Sequence, residues 1–406
     1  MKSESEINKI KASIPSILAH IYFFFNKVGL PFGLLYMHIL SPVFYIWLLY
    51  KKKKTIFLPF LLILIPFSLI HLLLGVETKS FIISNILFAA TYVFTVTFYF
   101  FINIYGHLGK IFKQLLISNF IFTFIALAFF YTPYQEVFWY IKKFTKSVES
   151  LPRLAMMTYE ASYYSLMFIP IAFYYLLKVF FRQNKMNTWV ILLMVLLPLL
   201  LSLSVGVIAA SLISFILLYS IHYEKIFINK RFFNNLVFFT FTFIVIALLL
   251  IFFYPTNPVF IRLQNIISGT DSSTNGRTFD SFLIAWHIAE EKSLWFGVGL
   301  GQIKVLGPEF VHKYIKYWGP IEVLRIPNAM AETLAMFGIT GIIIRFIIIF
   351  YYFFKAKVLN NYYQTLLFFF IFIYQFTGSY LTNIVEYVVW ILAFSNVFPQ
   401  FNVTKK

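Results

Sequence analysis

The sequence predicts an all-α polytopic integral membrane protein with about twelve transmembrane helices. Eleven spans would follow if the first apolar stretch, which is short and contains Pro15, did not cross. Three observations carry this reading. Of the 406 residues, 61% are hydrophobic and 22% aromatic, where soluble domains hold about 45–50% apolar residues. Apolar runs of about twenty residues recur along the whole length, and in hydrocarbon such runs must satisfy their own backbone hydrogen bonds as helices. Lysine and arginine, finally, are unevenly shared between alternate loops.

The spans fall at 12–25, 29–50, 55–74, 81–104, 111–131, 160–180, 187–203, 205–222, 233–254, 329–354, 362–380 and 384–400. The stretch 187–222 is too long for one crossing, and the small residues between Ser202 and Gly206 mark its turn. The first eleven residues are polar and carry Lys2, Lys9 and Lys11, with no small-residue cleavage site after the apolar stretch that follows. This predicts a retained helix and not a secretory signal. With no cysteine in the chain, disulfide and thiol chemistry are excluded.

With both termini cytoplasmic, 19 of the 33 basic residues lie in inner loops and 13 in outer ones, while Arg345 falls within a span. Only Glu4, Glu6 and Glu224 among the acids are inside. The net charge of +18 is therefore a positive-inside bias, not a nucleic-acid footprint. Lys51 to Lys54 read as an anchor on anionic headgroups. The chain is expected to form a single membrane domain, 1–406, with two long external loops at 132–159 and 255–328. No internal repeat links two halves, which argues against a duplicated transporter.

Several chemistries are missing. Aspartate occurs only at 271 and 280, so no Asp-x-Asp pair can hold a nucleotide-bound divalent metal. Neither a phosphate-binding Gly-x-x-x-x-Gly-Lys loop nor a His-Glu-x-x-His zinc helix is present.

The outer loops hold the candidates. Ser272-Ser273-Thr274-Asn275 supplies helix caps, and an amphipathic helix is expected from Arg277 through Trp286 to about Glu291. Arg277 in its first turn would oppose the helix dipole unless an anion compensated it; a solvated Arg on a cap is the plainer alternative. Gly297-Val298-Gly299-Leu300-Gly301 could let a ligand or another helix approach closely, or be a plain loop. Asn328 and Glu332 share one face at the start of a span, where Asn328 could also be a simple cap. Gly338 and Gly341 follow as a small-residue packing surface. Arg153 and Glu160 meet at the outer end of another span, as a site or as an anchoring ion pair. Arg345 is expected to snorkel toward the cytoplasm, and Glu386 to meet an external Arg. His287 and His312 have no visible partner, and Lys142, Lys143 and Lys146 are expected to be solvated.

The order of these pieces resembles the bacterial O-antigen polymerase and ligase superfamily, of Wzy and WaaL types. The likeness spans about 150–350 in ordered pieces: Arg153…Glu160-Ala161-Ser162, Leu201-Ser-Leu-Ser204-Val-Gly206, Arg277, Trp286, the glycine run at 297–301, and Asn328-x-x-x-Glu332 before Gly338-x-x-Gly341. The sequence departs where Val205 follows Ser204, where Ala161 follows Glu160, and where Pro327 precedes Asn328; relatives often carry Arg, Pro and His there. Lacking that His, the chain looks closer to a Wzy-type polymerase than to a ligase.

The resemblance implies a GT-C-like, metal-independent glycosyltransferase of the cytoplasmic membrane with its site facing outward and no cofactor. It would join polyprenyl-diphosphate-linked repeats, one as donor and one as acceptor, into O-antigen, capsule or exopolysaccharide. It implies Arg277, Glu160 and Glu332 as catalytic residues, and Arg153, Arg325, Asn328, Trp286, Gly297 and Gly299 as substrate-binding ones. Membrane lipids, a chain-length regulator and a flippase would be its partners. An O-antigen ligase and a non-catalytic glycolipid flippase or transporter are the alternatives. The gathering of polar residues at one face, and not at mid-membrane, favours an enzyme.

Overall fold

A computed structural model of the chain describes residues 15–24, 40–43, 45–46, 49–50, 57–105, 108–141, 152–228, 264–266, 268–314 and 324–403. The expected span at 233–254, most of that at 29–50, and Lys51 to Lys54, Lys142, Lys143 and Lys146 lie outside these residues. The described chain is predominantly helical. Among the described residues, five helices are long and apolar enough to cross a membrane: α3 (Thr78–Tyr105), α4 (Leu108–Phe129), α5 (Ala161–Phe180), α7 (Val205–Ile228) and α11 (Ala329–Lys355). Shorter apolar helices are α1 (Pro15–Phe24), α2 (Phe57–Leu73), α6 (Thr188–Ser202), α12 (Tyr362–Tyr374) and α13 (Ile384–Ala393). Between α7 and α11 the described residues include α8 (Ser272–Arg277), α9 (Phe279–Lys292) and α10 (Ile303–Tyr314). The expected spans at 362–380 and 384–400 end early, at Tyr374 and Ala393.

Asparagine sets where four of these helices begin. The side chains of Asn187, Asn328, Asn361 and Asn383 each accept one or two first-turn N–H groups of α6, α11, α12 and α13. A membrane helix has no water to satisfy those donors, so a short polar cap fixes its start. The end of α6 is fixed differently. Leu203 takes a left-handed conformation, and α7 starts at Val205, which places the turn within Ser202–Gly206 as the sequence predicts. The free carbonyl of Ser202 accepts from Arg153 Nε at 3.1 Å, a cation suited to a helix C-terminus. Arg153 itself lies on β2 (Arg153–Leu154), paired antiparallel with β1 (Trp139–Tyr140).

Two apolar cores result. The larger gathers α4, α5, α6, α12 and α13 around Tyr164, Phe168, Phe173, Tyr363 and Phe370. A smaller one packs α9 and α10 with α2 and the start of α11, through Phe67, Ile284, Ile288, Val298 and Leu334.

Two expectations for α11 are corrected. Gly338 does not extend a smooth packing surface: at φ 65°, ψ −163° it breaks the helix. The freed backbone groups are taken by the segment 294–299. Val298 N and Gly299 N donate to Ala335 O and Met336 O at 3.0 Å each. Ile339 N and Thr340 N donate to Leu294 O and Trp295 O at 3.0 and 3.1 Å. The break turns the first piece of α11 back on the second, for Arg345 Nη1 reaches Thr333 Oγ1 at 3.1 Å. Twelve residues along a straight helix would separate those two by about 18 Å. Arg345 therefore does not snorkel toward the cytoplasm. It turns inward and pairs with Glu386 of α13 at 2.5 Å, so Glu386 meets a helix Arg and not an external one.

Candidate active site

Four pieces of chain converge: the start of α5, the junction of α8 and α9, the start of α11, and the loop 375–383 between α12 and α13. Arg277 lies at the α8–α9 junction. Asp271, not Ser272, caps α8 by accepting from Thr274 N at 2.6 Å. Arg277 occupies the last turn of that six-residue helix, not the first turn of the next, and Thr278 (φ −106°, ψ −91°) separates the two. The expected clash with a helix dipole is thus absent, since a cation suits a C-terminal turn. What pins Arg277 is Asn328, whose Nδ2 donates to Arg277 O at 2.8 Å and to Phe376 O at 2.6 Å. Its Oδ1 caps α11. Fully buried, Asn328 is a strut joining three pieces of the site, not a group open to substrate.

The Arg277 guanidinium faces Glu160, the residue before α5, with Nη2 to Oε2 at 3.8 Å and side chains 26% and 33% exposed. That distance is an ion pair without a hydrogen bond, and it leaves the planar fork uncommitted to this carboxylate. Ser162 Oγ donates to Glu160 Oε1, and Thr158 Oγ1 donates to Glu160 O at 3.0 Å. Burial works to lower the guanidinium pKa, but Glu160 and the phenols of Tyr374, Tyr380 and Tyr140 outweigh it and raise the pKa. The cation is therefore fixed at every working pH. Arg153 Nε donates to the end of α6, and the cation that faces Glu160 is Arg277.

Glu332, one turn into α11, is buried and accepts the N–H of Leu381. Arg325 is exposed and lies within electrostatic reach of Lys304, Tyr159 and Tyr380. Lys304, on α10, is a residue that the sequence reading passed over. Burial and Arg325 hold its ammonium pKa down, while Glu332 acts in the other direction. Tyr380 was also missed, yet it stands in reach of Glu160, Arg277, Glu332 and Arg325 together. Nothing in local spacing marks either residue, because the loop 375–383 is brought in by tertiary packing alone.

The glycine run proves to be a packing device. A Cβ on Gly297 would stand 2.5 Å from Met336 C and 2.6 Å from Ala335 O, and one on Gly299 would stand 3.1 Å from the His71 ring. Gly297 and Gly299 are thus filled by the chain itself. Trp286, by contrast, is 41% exposed on α9 and donates Nε1 to Glu290 Oε1 at 2.6 Å. Phe279, two turns earlier on that face, is 71% exposed. His287 stacks on Tyr314 at 3.9 Å, so it is not isolated as the sequence suggested. Among the described residues no three His, Cys, Asp or Glu side chains gather at one point.

Residues 189–346 match the family model described as O-Antigen ligase. Over that stretch the match supports the resemblance to the O-antigen ligase and polymerase superfamily. The matched stretch holds Arg277, Asn328, Glu332 and the break of α11 at Gly338. Arg153, Glu160 and the loop 375–383 lie outside it. A comparison with curated proteins finds no match. With its apolar helices and this match, the chain is a multi-pass membrane protein.

Proposed function

We propose that this chain is a polysaccharide polymerase of the O-antigen ligase and polymerase superfamily that joins polyprenyl-diphosphate-linked repeat units at the outer face of the cytoplasmic membrane. The observation that carries the reading is Arg277, permanently cationic and pinned by Asn328, beside Glu160 and in a site shared with Glu332. In the reaction an acceptor hydroxyl oxygen attacks the donor's anomeric carbon. The bond from that carbon to the diphosphate oxygen breaks, and the diphosphate leaves with the electron pair. Arg277 stabilises the charge that develops there, as a fixed donor in a low-dielectric site does. The hydroxyl proton passes to a carboxylate. Glu332 suits that role because it accepts a backbone N–H and not a cation. Glu160, shared between Arg277 and Ser162, orients the guanidinium.

Arg325 and Lys304 add positive charge beside Glu332, where the second carrier's diphosphate would lie. Phe279 and Trp286 offer flat faces to sugar rings emerging from the Arg277 side. Twelve spans of GT-C-like arrangement, with 132–159 and 255–328 outside, complete the reading, and no metal takes part. The absence of an Asp-x-Asp pair supports that last point, and Pro327 in place of His favours a polymerase over a ligase. The glycolipids of a deletion strain test the assignment. Accumulation of single lipid-linked repeats is expected. Long polymer left unattached to its final acceptor would instead identify a ligase.

A further inference from the structure

Arg345 and Glu386 are charged groups inside apolar helices, and the reaction above uses neither. Charges in such places are costly and mark a function or a fixed partner. Here they form a buried pair whose remaining bonds lead to one place. Arg345 Nε donates to Gln375 Oε1 at 3.1 Å, and Nη1 donates to Thr333 Oγ1 at 3.1 Å. Glu386 accepts from Ser379 Oγ at 2.6 Å and from Trp390 Nε1 at 3.2 Å. Asn383 Nδ2 in turn donates to Ser379 Oγ at 3.0 Å. Gln375, Ser379 and Asn383 are the beginning, middle and end of the loop 375–383, so the pair holds that loop directly at Gln375 and Ser379, and reaches Asn383 through Ser379.

The upper side of the same loop builds the site. Gln375 O and Gly378 O accept from Met330 N and Ala329 N at 3.2 Å each. Phe376 O accepts from Asn328, which also holds Arg277 O. Leu381 N donates to Glu332, and Tyr380 lies within electrostatic reach of Glu160, Arg277, Glu332 and Arg325. A shift of this loop would move Arg277, Glu332 and Tyr380 relative to one another.

We infer that Arg345 and Glu386 are positioning residues, which fix the loop 375–383 as the floor of the active site and so set the spacing of Arg277 and Glu332. The inference rests on the site assigned above. A packed apolar pair could hold the helices together equally well, since a buried ion pair adds little net stability over one. What the charged pair adds is direction, through hydrogen bonds that an apolar pair cannot make.

That difference supplies the test. Arg345→Met alone strands a buried carboxylate and should lower protein abundance. The double substitution Arg345→Met with Glu386→Leu removes both charges and should restore abundance and thermal stability. Turnover on lipid-linked repeats should nevertheless stay down by about 10²-fold, the cost of a small misplacement of reacting groups, with donor affinity within about threefold of the parent. A spin label on Thr382→Cys, introduced into this cysteine-free chain, gives a reading independent of catalysis. It should be immobile in the parent and mobile in the double variant. Recovery of turnover together with abundance, or a label equally immobile in both, overturns the inference. A parent protein that elongates nothing would instead sink the polymerase reading, and the label would still judge the loop.

Discussion

Glu160 and Glu332 look alike in the sequence, each a carboxylate at the start of an apolar helix, and only their partners separate them. Glu160 faces a cation and a hydroxyl; Glu332 faces a backbone N–H. If Glu332 takes the acceptor proton, Glu332→Gln should lower turnover by about 10²–10⁴-fold, the usual worth of a general base. Glu160→Gln keeps the hydrogen bond from Ser162 but loses the charge beside Arg277, and should weaken donor binding as well as rate. Steady-state kinetics on both variants checks the contrast, and equal loss in both parameters for both variants would erase the distinction. At this scale the sequence displayed Arg277, Glu160 and Glu332 because ordered motif pieces carry them. Tyr380 and Lys304 stayed hidden because they are near the site only in three dimensions. Asn328 displayed both of its readings, and burial with four hydrogen bonds decided for the strut.

Among the elements, α11 and the segment 294–299 form a unit that neither could form alone. The broken helix exposes backbone groups that the glycine-bearing segment satisfies, and in an apolar setting unsatisfied ones would cost several kcal/mol, about the whole stability of many domains. Gly338→Ala adds a Cβ toward the Trp295 backbone at a positive φ, and Gly297→Ala adds one against Met336. Both should reduce folded protein in the membrane several-fold, as measured by abundance and thermal stability in detergent. Ile343→Ala, at an exposed position on the second piece, should leave both measures near the parent. A stable, abundant Gly338→Ala protein would mean that the break is not needed. The sequence could not show this unit, because Gly-x-x-Gly in an apolar run reads equally as a packing surface. The turn at Ser202–Gly206 was readable because 187–222 is too long for one crossing.

At the scale of the whole molecule, hydropathy marked the apolar helices that the structure describes, since run length and bilayer thickness are tied by simple geometry. Sidedness came from the distribution of lysine and arginine. It predicts that cysteines introduced at Tyr131 and Ser268 react with an impermeant thiol reagent on intact cells or spheroplasts, and that one at Gln183 reacts only after lysis. The reverse pattern would invert the topology. Metal-independent transfer stabilised by Arg277 can be observed with the purified protein in lipid nanodiscs. It is given polyprenyl-diphosphate-linked repeats from its own cells, with EDTA present. A ladder of elongated lipid-linked glycans is expected. Arg277→Lys should be severely slowed although charge is kept, because an ammonium cannot span phosphate oxygens as a guanidinium does. Arg277→Ala should slow by about 10²–10³-fold at equal protein amount. Absence of any ladder from the parent unless magnesium or manganese is restored, or an undiminished ladder from Arg277→Ala, would contradict metal-independent transfer stabilised by Arg277.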